Sequence, residues 1–93
     1  MSGAYIHETS IVSNESIIGK GSKIWHFSHI RENVSIGKNV TVGQNVYIDK
    51  NVSIGDNCKI QNNVSIYDGV TLKNNIFVGP SVVFTNDKYP DAM

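Results

Sequence analysis

IGKNVTVGQNVYIDKNVSIGDNCKIQNNVSIYDGVTLKNNIFV, residues 36–78, places a large aliphatic side chain at every sixth position without a slip: Ile36, Val42, Ile48, Ile54, Ile60, Ile66, Leu72 and Val78. The same phase runs outward through Ile6, Val12, Ile18, Ile24 and Ile30 on one side and Phe84 on the other. A helix spaces its buried side chains about 3.6 residues apart and a strand about 2. A fixed period of six fits neither. It marks a repeat fold, a parallel β-helix built from hexapeptides.

Two positions before each aliphatic residue a strand points inward again. That series reads Ser10, Ser16, Ser22, Ser28, then Val34, Val40, Val46, Val52, Cys58, Val64, Val70, Ile76 and Val82. Cys58 falls within it and reads as core packing. The four serines predict a thinner, more polar first coil and a half, an end cap facing water. Three positions after the aliphatic residue stand Asn33, Asn39, Asn45, Asn51, Asn57, Asn63, Gly69 and Asn75. Asn and Gly accept a left-handed backbone at least cost, so a turn is expected at each. Gly19, Gly37, Gly43, Gly55 and Gly79, one position after the aliphatic residue, are expected to relieve crowding at the same corners.

Three six-residue sides close one triangular coil of 18 residues, and residues 18 apart stack at roughly 4.8 Å. Residues 1–84 then make a β-helix of about four and a half coils. Two inward residues in six bury little surface in one thin rod, which favours oligomerisation. The outward Trp25, Tyr47 and Phe77 are its expected interface residues.

Composition narrows the setting. Ninety-three residues make one small domain, near the lower size limit for a self-sufficient core. Eight acidic and eight basic residues cancel, so net charge predicts neither a nucleic acid nor a membrane as partner. No apolar run approaches the roughly 20 residues that span a bilayer. The start MSGAYIHETS does not read as an export signal, and one cysteine cannot form an internal disulfide. A cytoplasmic protein is expected. The Asn-x-Ser/Thr triplets at Asn14, Asn33, Asn39, Asn51 and Asn63 are products of the repeat, which places a turn Asn, an inward residue and an outward hydroxyl in that order.

The residues that the repeat does not need fall in three runs: 23–31 (KIWHFSHIR), 61–68 (QNNVSIYD) and 79–86 (GPSVVFTN). Stacking by 18 brings them into neighbouring columns. His29, Tyr47 and Ser65 form one column, and Arg31, Asp49, Tyr67 and Thr85 form another beside it. His26, Gln44, Asn62 and Pro80 form a third. Glu32, Lys50 and Asp68 read as a solvated charge ladder of little energetic weight. The His29–Tyr47 neighbourhood, with Arg31, Tyr67 and Asn86, combines aromatic faces, amides and a cation, which suits a nucleotide base and a phosphorylated sugar.

The repeats IGKNVT, VGQNVY and IGDNCK resemble those of hexapeptide acyltransferases, and that resemblance implies a left-handed β-helix where parallel crossovers are otherwise right-handed. The runs IWHFSHI, VGQNVYI, KIQNNVSIYDGV and FVGPSVVFTND resemble the sugar-nucleotide 3-N-acetyltransferases, among them enzymes of surface-polysaccharide synthesis acting on UDP-2-acetamido-3-amino-2,3-dideoxyglucuronate and on dTDP-3-amino sugars. The resemblance implies an acetyl-CoA-dependent homotrimer with its active site between subunits, where the sugar's 3-amino nitrogen attacks the thioester. It implies catalytic roles for Asn86, near the reacting amine, and for His29 as the alternative to the departing thiolate as proton acceptor. His26, Arg31, Gln44 and Tyr67 become contacts to the sugar or its nucleotide. Members of that family are longer: residues 85–93 read as the start of a substrate-facing loop, and the family's C-terminal coils, which hold most of the acetyl-CoA, are absent, so the chain reads as a fragment or as a short relative.

Other readings remain open. A non-catalytic β-helix would need none of these roles. A γ-type carbonic anhydrase needs three imidazoles converging on zinc, which the spacing of His7, His26 and His29 does not predict, so no metal is expected. An ice-binding face needs paired ranks of Thr. The column Ser35, Ser53, Thr71 is instead flanked by Gly37, Gly55 and Lys73.

Overall fold

Each hexapeptide contributes one short strand whose second residue is the aliphatic one. Its side chain points in and that of the residue before it points out. The computed structural model describes residues 3–85, and within them these strands form three parallel sheets. The first face stacks β1 (Tyr5–Ile6), β4 (Lys23–Ile24), β7 (Thr41–Val42), β10 (Lys59–Ile60) and β13 (Phe77–Val78). The second stacks β2 (Ile11–Val12), β5 (His29–Ile30), β8 (Tyr47–Ile48), β11 (Ser65–Ile66) and β14 (Val83–Phe84). The third stacks β3 (Ile17–Ile18), β6 (Ser35–Ile36), β9 (Ser53–Ile54) and β12 (Thr71–Leu72).

Every pairing is parallel with partners 18 residues apart, as in Lys23↔Thr41, His29↔Tyr47 and Ser35↔Ser53. The result is the left-handed hexapeptide β-helix expected from the sequence, a rod of 47 × 24 × 24 Å. From Ile18 to Val78 the aliphatic series is buried throughout, and it forms one continuous core with Val34, Val40, Val46, Val52, Cys58, Val64 and Val70. Each such residue contributes roughly 1.5–3 kcal/mol of transfer free energy.

The corners turn where predicted. Asn33, Asn39, Asn45, Asn51, Asn57, Asn63 and Asn75 all have φ between 56° and 63°, and Gly69 has φ 82°. Two non-glycine residues outside that series adopt the same conformation, Phe27 at 57° and Ser81 at 65°. Neighbouring corners are further joined by side-chain amides, with Asn33 Nδ2 donating to Asn51 Oδ1 at 2.7 Å and Asn45 Nδ2 to Asn63 Oδ1 at 2.8 Å.

The corner glycines are required by sterics. A Cβ on Gly43 would lie 2.4 Å from Asn62 Oδ1, an atom that accepts the backbone N–H of Gln44 at 2.9 Å. Gly37 and Gly55 stand in the same relation to Asp56 and Asn74. Gly79 departs from the expectation: a Cβ there meets nothing within 4 Å, because no described residue takes the place of that crowding oxygen.

The water-facing cap expected from the serines is also corrected. Ser22 and Ser28 are buried, and their hydroxyls bind backbone of the next coil. Ser22 Oγ donates to the Gly37 carbonyl at 2.8 Å and accepts from the Val40 amide at 2.9 Å. Ser28 does the same with Gly43 and Val46, and Ser16 with Arg31 and Val34. Ser10 donates to the Trp25 carbonyl and accepts from the Ser28 amide. Cys58 keeps the geometry, its Sγ lying 3.1 Å from the Lys73 carbonyl oxygen. In all five cases the acceptor is 15 residues further on.

Candidate functional site

The outward residues of the second face, with the corner that follows it, hold a polar and aromatic cluster. Strand alternation points His29 of β5 and Tyr47 of β8 outward, and the 18-residue register stacks them. Their rings meet edge to face at 5.8 Å. Tyr67, from the corner after β11, lies 6.0 Å from the Tyr47 ring at an angle of 56°. Arg31, just past β5, donates from Nη1 to the Tyr47 hydroxyl at 3.0 Å and from Nε to Glu32 Oε1 at 3.0 Å. Asp49 Oδ1 lies 3.8 Å from the same Nη1.

These contacts set the electrostatics. Hydrogen bonds that Arg31 donates to Glu32 first, then to Tyr47, raise its pKa above the ordinary value, so it is a permanent cation. The Glu32 carboxyl is held below the usual carboxylate range, first by hydrogen bonding with its own backbone and then by Arg31. Glu32 therefore pairs with Arg31 rather than extending the expected ladder, whose remaining rung is Lys50 Nζ to Asp68 Oδ2 at 3.4 Å.

The structure thus brings His29, Arg31 and Tyr67 together, with Tyr47 as the residue that touches all three. From the sequence Tyr47 reads as an interface residue and as a column neighbour of His29, and not as a contact of Arg31. Its bond to Arg31 runs diagonally, 16 residues apart, which columns of 18 do not reveal.

His26 and Gln44 sit at the other edge of the second face, at the corner between it and the first. There the His26 ring stacks on His7 with centroids 3.7 Å apart and 30° between planes. Register alone would have placed His7 beneath Trp25, whose ring instead meets Tyr5 at 5.4 Å. The Asn45 amide donates to the His26 carbonyl, and Gln44 presents an exposed side chain beside it. Phe27 holds its left-handed backbone in this corner while its amide donates to Thr9 Oγ1 at 2.9 Å. Among the described residues no three His, Cys, Asp or Glu side chains converge as a metal site needs. No closed pocket forms either, so the cluster is an open face. Asn86 lies outside the described residues, as does the 85–93 loop apart from Thr85. No helix of the described residues is long and apolar enough to cross a membrane.

Such a face, with a permanent guanidinium flanked by two tyrosines and an imidazole, can hold a planar ring and an anionic group side by side. Residues 15–50 and 51–86 each match the family model described as bacterial transferase hexapeptide, six repeats. Residues 33–68 also match the hexapeptide repeat of succinyl-transferase. No curated protein matches the chain.

Proposed function

The chain belongs to the bacterial hexapeptide transferases, and we propose that it is the sugar-nucleotide-binding part of an acetyl-CoA-dependent N-acetyltransferase. Its acceptor is the 3-amino group of a UDP- or dTDP-linked amino sugar used in surface-polysaccharide synthesis. One observation carries this reading: the His29–Tyr47–Tyr67–Arg31 cluster exceeds anything the repeat needs to fold, and it lies on one face of a transferase-type β-helix.

Arg31 faces the nucleotide phosphates, and Tyr47 and Tyr67 offer ring faces to the base or sugar. His26 and Gln44 extend the contact across the second face. In the reaction the 3-amino nitrogen forms a C–N bond to the acetyl carbonyl as the C–S bond of the thioester breaks. The amine proton passes to the released thiolate or to His29, whose imidazole is exposed. Asn86 orients the amine. The reading includes a homotrimer with the open second face completed by a neighbouring subunit near Tyr47. It also includes a cytoplasmic setting, where acetyl-CoA and nucleotide sugars are available.

Calorimetry with UDP- and dTDP-linked 3-amino sugars is the first test. Binding by one of them, weakened at least tenfold in Arg31→Ala and Tyr67→Ala variants that melt normally, supports the assignment. In a longer form that carries the acetyl-CoA coils, thiol release from acetyl-CoA that falls in Asn86→Ala or His29→Ala would then identify the catalytic groups. No binding of either sugar at millimolar concentration sinks the reading and leaves a structural β-helix as the better account.

A further inference from the structure

Equal numbers of acids and bases hide how the fold distributes them. Lys23 and Lys59 point outward from the first face, and Lys20, Lys38 and Lys73 line the corner leading into it. All five are exposed, and none forms an ion pair among the described residues. Among the described residues the only carboxylate on that face or the corner leading into it is Asp56, whose Oδ1 accepts the Lys38 amide; Glu8 stands at the corner that follows the face. The opposite corner, after the second face, collects Glu15, Glu32, Asp49 and Asp68, and both cations there, Arg31 and Lys50, are already paired. Among the described residues the rod is therefore polarised across its width, with five lysines outside any ion pair on one side and four carboxylates collected on the other.

Aromatic residues bracket the same surface. Tyr5 at one end of the first face is 46% exposed, and Phe77 at the other end is 66% exposed. Trp25 follows β4 at the edge of that face and rests on Tyr5. Rings of this kind, apolar in body with a polar tip on Tyr and Trp, favour the boundary between water and hydrocarbon. Lysines reach from such a boundary toward anionic headgroups on flexible stems.

We infer that the first face and the corner preceding it dock flat on an anionic lipid surface. Lysine point charges tolerate a fluid layer of headgroups, and Tyr5, Trp25 and Phe77 reach into its interfacial zone. The chain's one arginine, the side chain best shaped for bidentate phosphate recognition, follows β5 on the opposite side and adds nothing to this surface. This arrangement favours a diffuse anionic surface over a nucleic acid. This inference assigns Trp25 and Phe77, expected from the sequence at a subunit interface, to the lipid surface instead and leaves Tyr47 on the second face for an assembly; it does not depend on the acyl-transfer reading.

The test is co-sedimentation with vesicles of phosphatidylcholine alone and of phosphatidylcholine mixed with phosphatidylserine, at low and raised salt. The chain should pellet with the anionic vesicles only and be released as salt screens the charges. A Lys23→Glu/Lys59→Glu variant should lose at least tenfold in partitioning while melting as the parent does. Phe77→Ser should weaken binding severalfold without changing its salt dependence. Lys50→Glu, on the opposite corner, should leave binding unchanged. No pelleting with anionic vesicles, or full binding by the double variant, overturns the inference. So does binding to single-stranded or duplex nucleic acid without binding to vesicles. A self-association lost in the double variant, again without vesicle binding, would assign the surface to a second copy of the chain.

Discussion

The first coil and a half and the coils above it share the parallel 18-residue register, yet they line the inner corner with different atoms. Below, Ser10, Ser16, Ser22 and Ser28 each pin an amide and a carbonyl of the next coil. Above, valines fill the equivalent space with methyl groups, and Cys58 stands between the two solutions, apolar in bulk with a weak bond to Lys73. Burying a hydroxyl is tolerable when its donor and its acceptor are both used. The lower coils also contain the least regular corner, Trp25-His26-Phe27. A left-handed Phe27 costs on the order of 1–3 kcal/mol, and Thr9 and Ser10 hold the amides of Phe27 and Ser28 in place. The hydroxyl-lined region is thus where the repeat departs furthest from its own rule.

The largest expected effect removes the contrast by removing the core beneath both regions. Ile54, 3% exposed, sits among aliphatic neighbours with nothing to pair a charge. Ile54→Asp buries an unpaired carboxylate, which costs several kcal/mol and should abolish cooperative unfolding in a thermal melt followed by circular dichroism. A variant that still melted cooperatively near the parental temperature would mean that the inward register is wrong.

Ser28→Ala tests the lower solution directly. It strips the partner from the Gly43 carbonyl and the Val46 amide at once, and leaving one such group unsatisfied costs about 1–3 kcal/mol. Denaturant titration should find a loss in that range. A change below about 0.5 kcal/mol would show that the hydroxyl is merely accommodated, as is usual of surface substitutions.

Which of these features the sequence could disclose follows from the geometry of a solenoid. Each coil touches only the next, so contacts recur at one fixed separation and the period carries them directly. The inward positions of Ile36 and Ile66, the left-handed Asn33 and the pairing of His29 with Tyr47 were legible for that reason. Contacts that leave the column were not. Arg31 reaches Tyr47 diagonally, His7 turns to His26 rather than Trp25, and serine hydroxyls reach a carbonyl 15 residues on. The period fixes where a Cβ stands but not where a side chain leans. A serine in a sequence also looks polar whether it meets water or a backbone carbonyl, which is why the serine-lined coils read as a cap. The polarised lysines were hidden by the net charge, which sums over all sides of the rod.

Cys58→Ser moves one position of the upper region to the lower solution. The Sγ already lies 3.1 Å from the Lys73 carbonyl and 3.7 Å from that of Asp56. A hydroxyl placed there donates more strongly than a thiol but gives up apolar bulk, and the two changes oppose each other. Stability should shift by no more than about 1 kcal/mol, the size of one ordinary net hydrogen bond. A loss matching that of Ser28→Ala would mean that the bridging geometry does not transfer between the two regions.

Lys50→Ala has the smallest expected effect, and it separates bonds inside the coil from bonds on its surface. Lys50 Nζ lies 3.4 Å from Asp68 Oδ2, with the side chains 44% and 49% exposed. Water screens such a pair, and holding a long lysine in one rotamer opposes the attraction. Asp68 does not lose its only partner, because Asn51 Nδ2 also donates to it at 3.1 Å. The substitution should therefore change unfolding free energy by less than about 0.5 kcal/mol, and raising salt should erase even that. A cost comparable to Ser28→Ala would show that charge pairing between outer corners holds the coils together as firmly as the buried hydroxyls do.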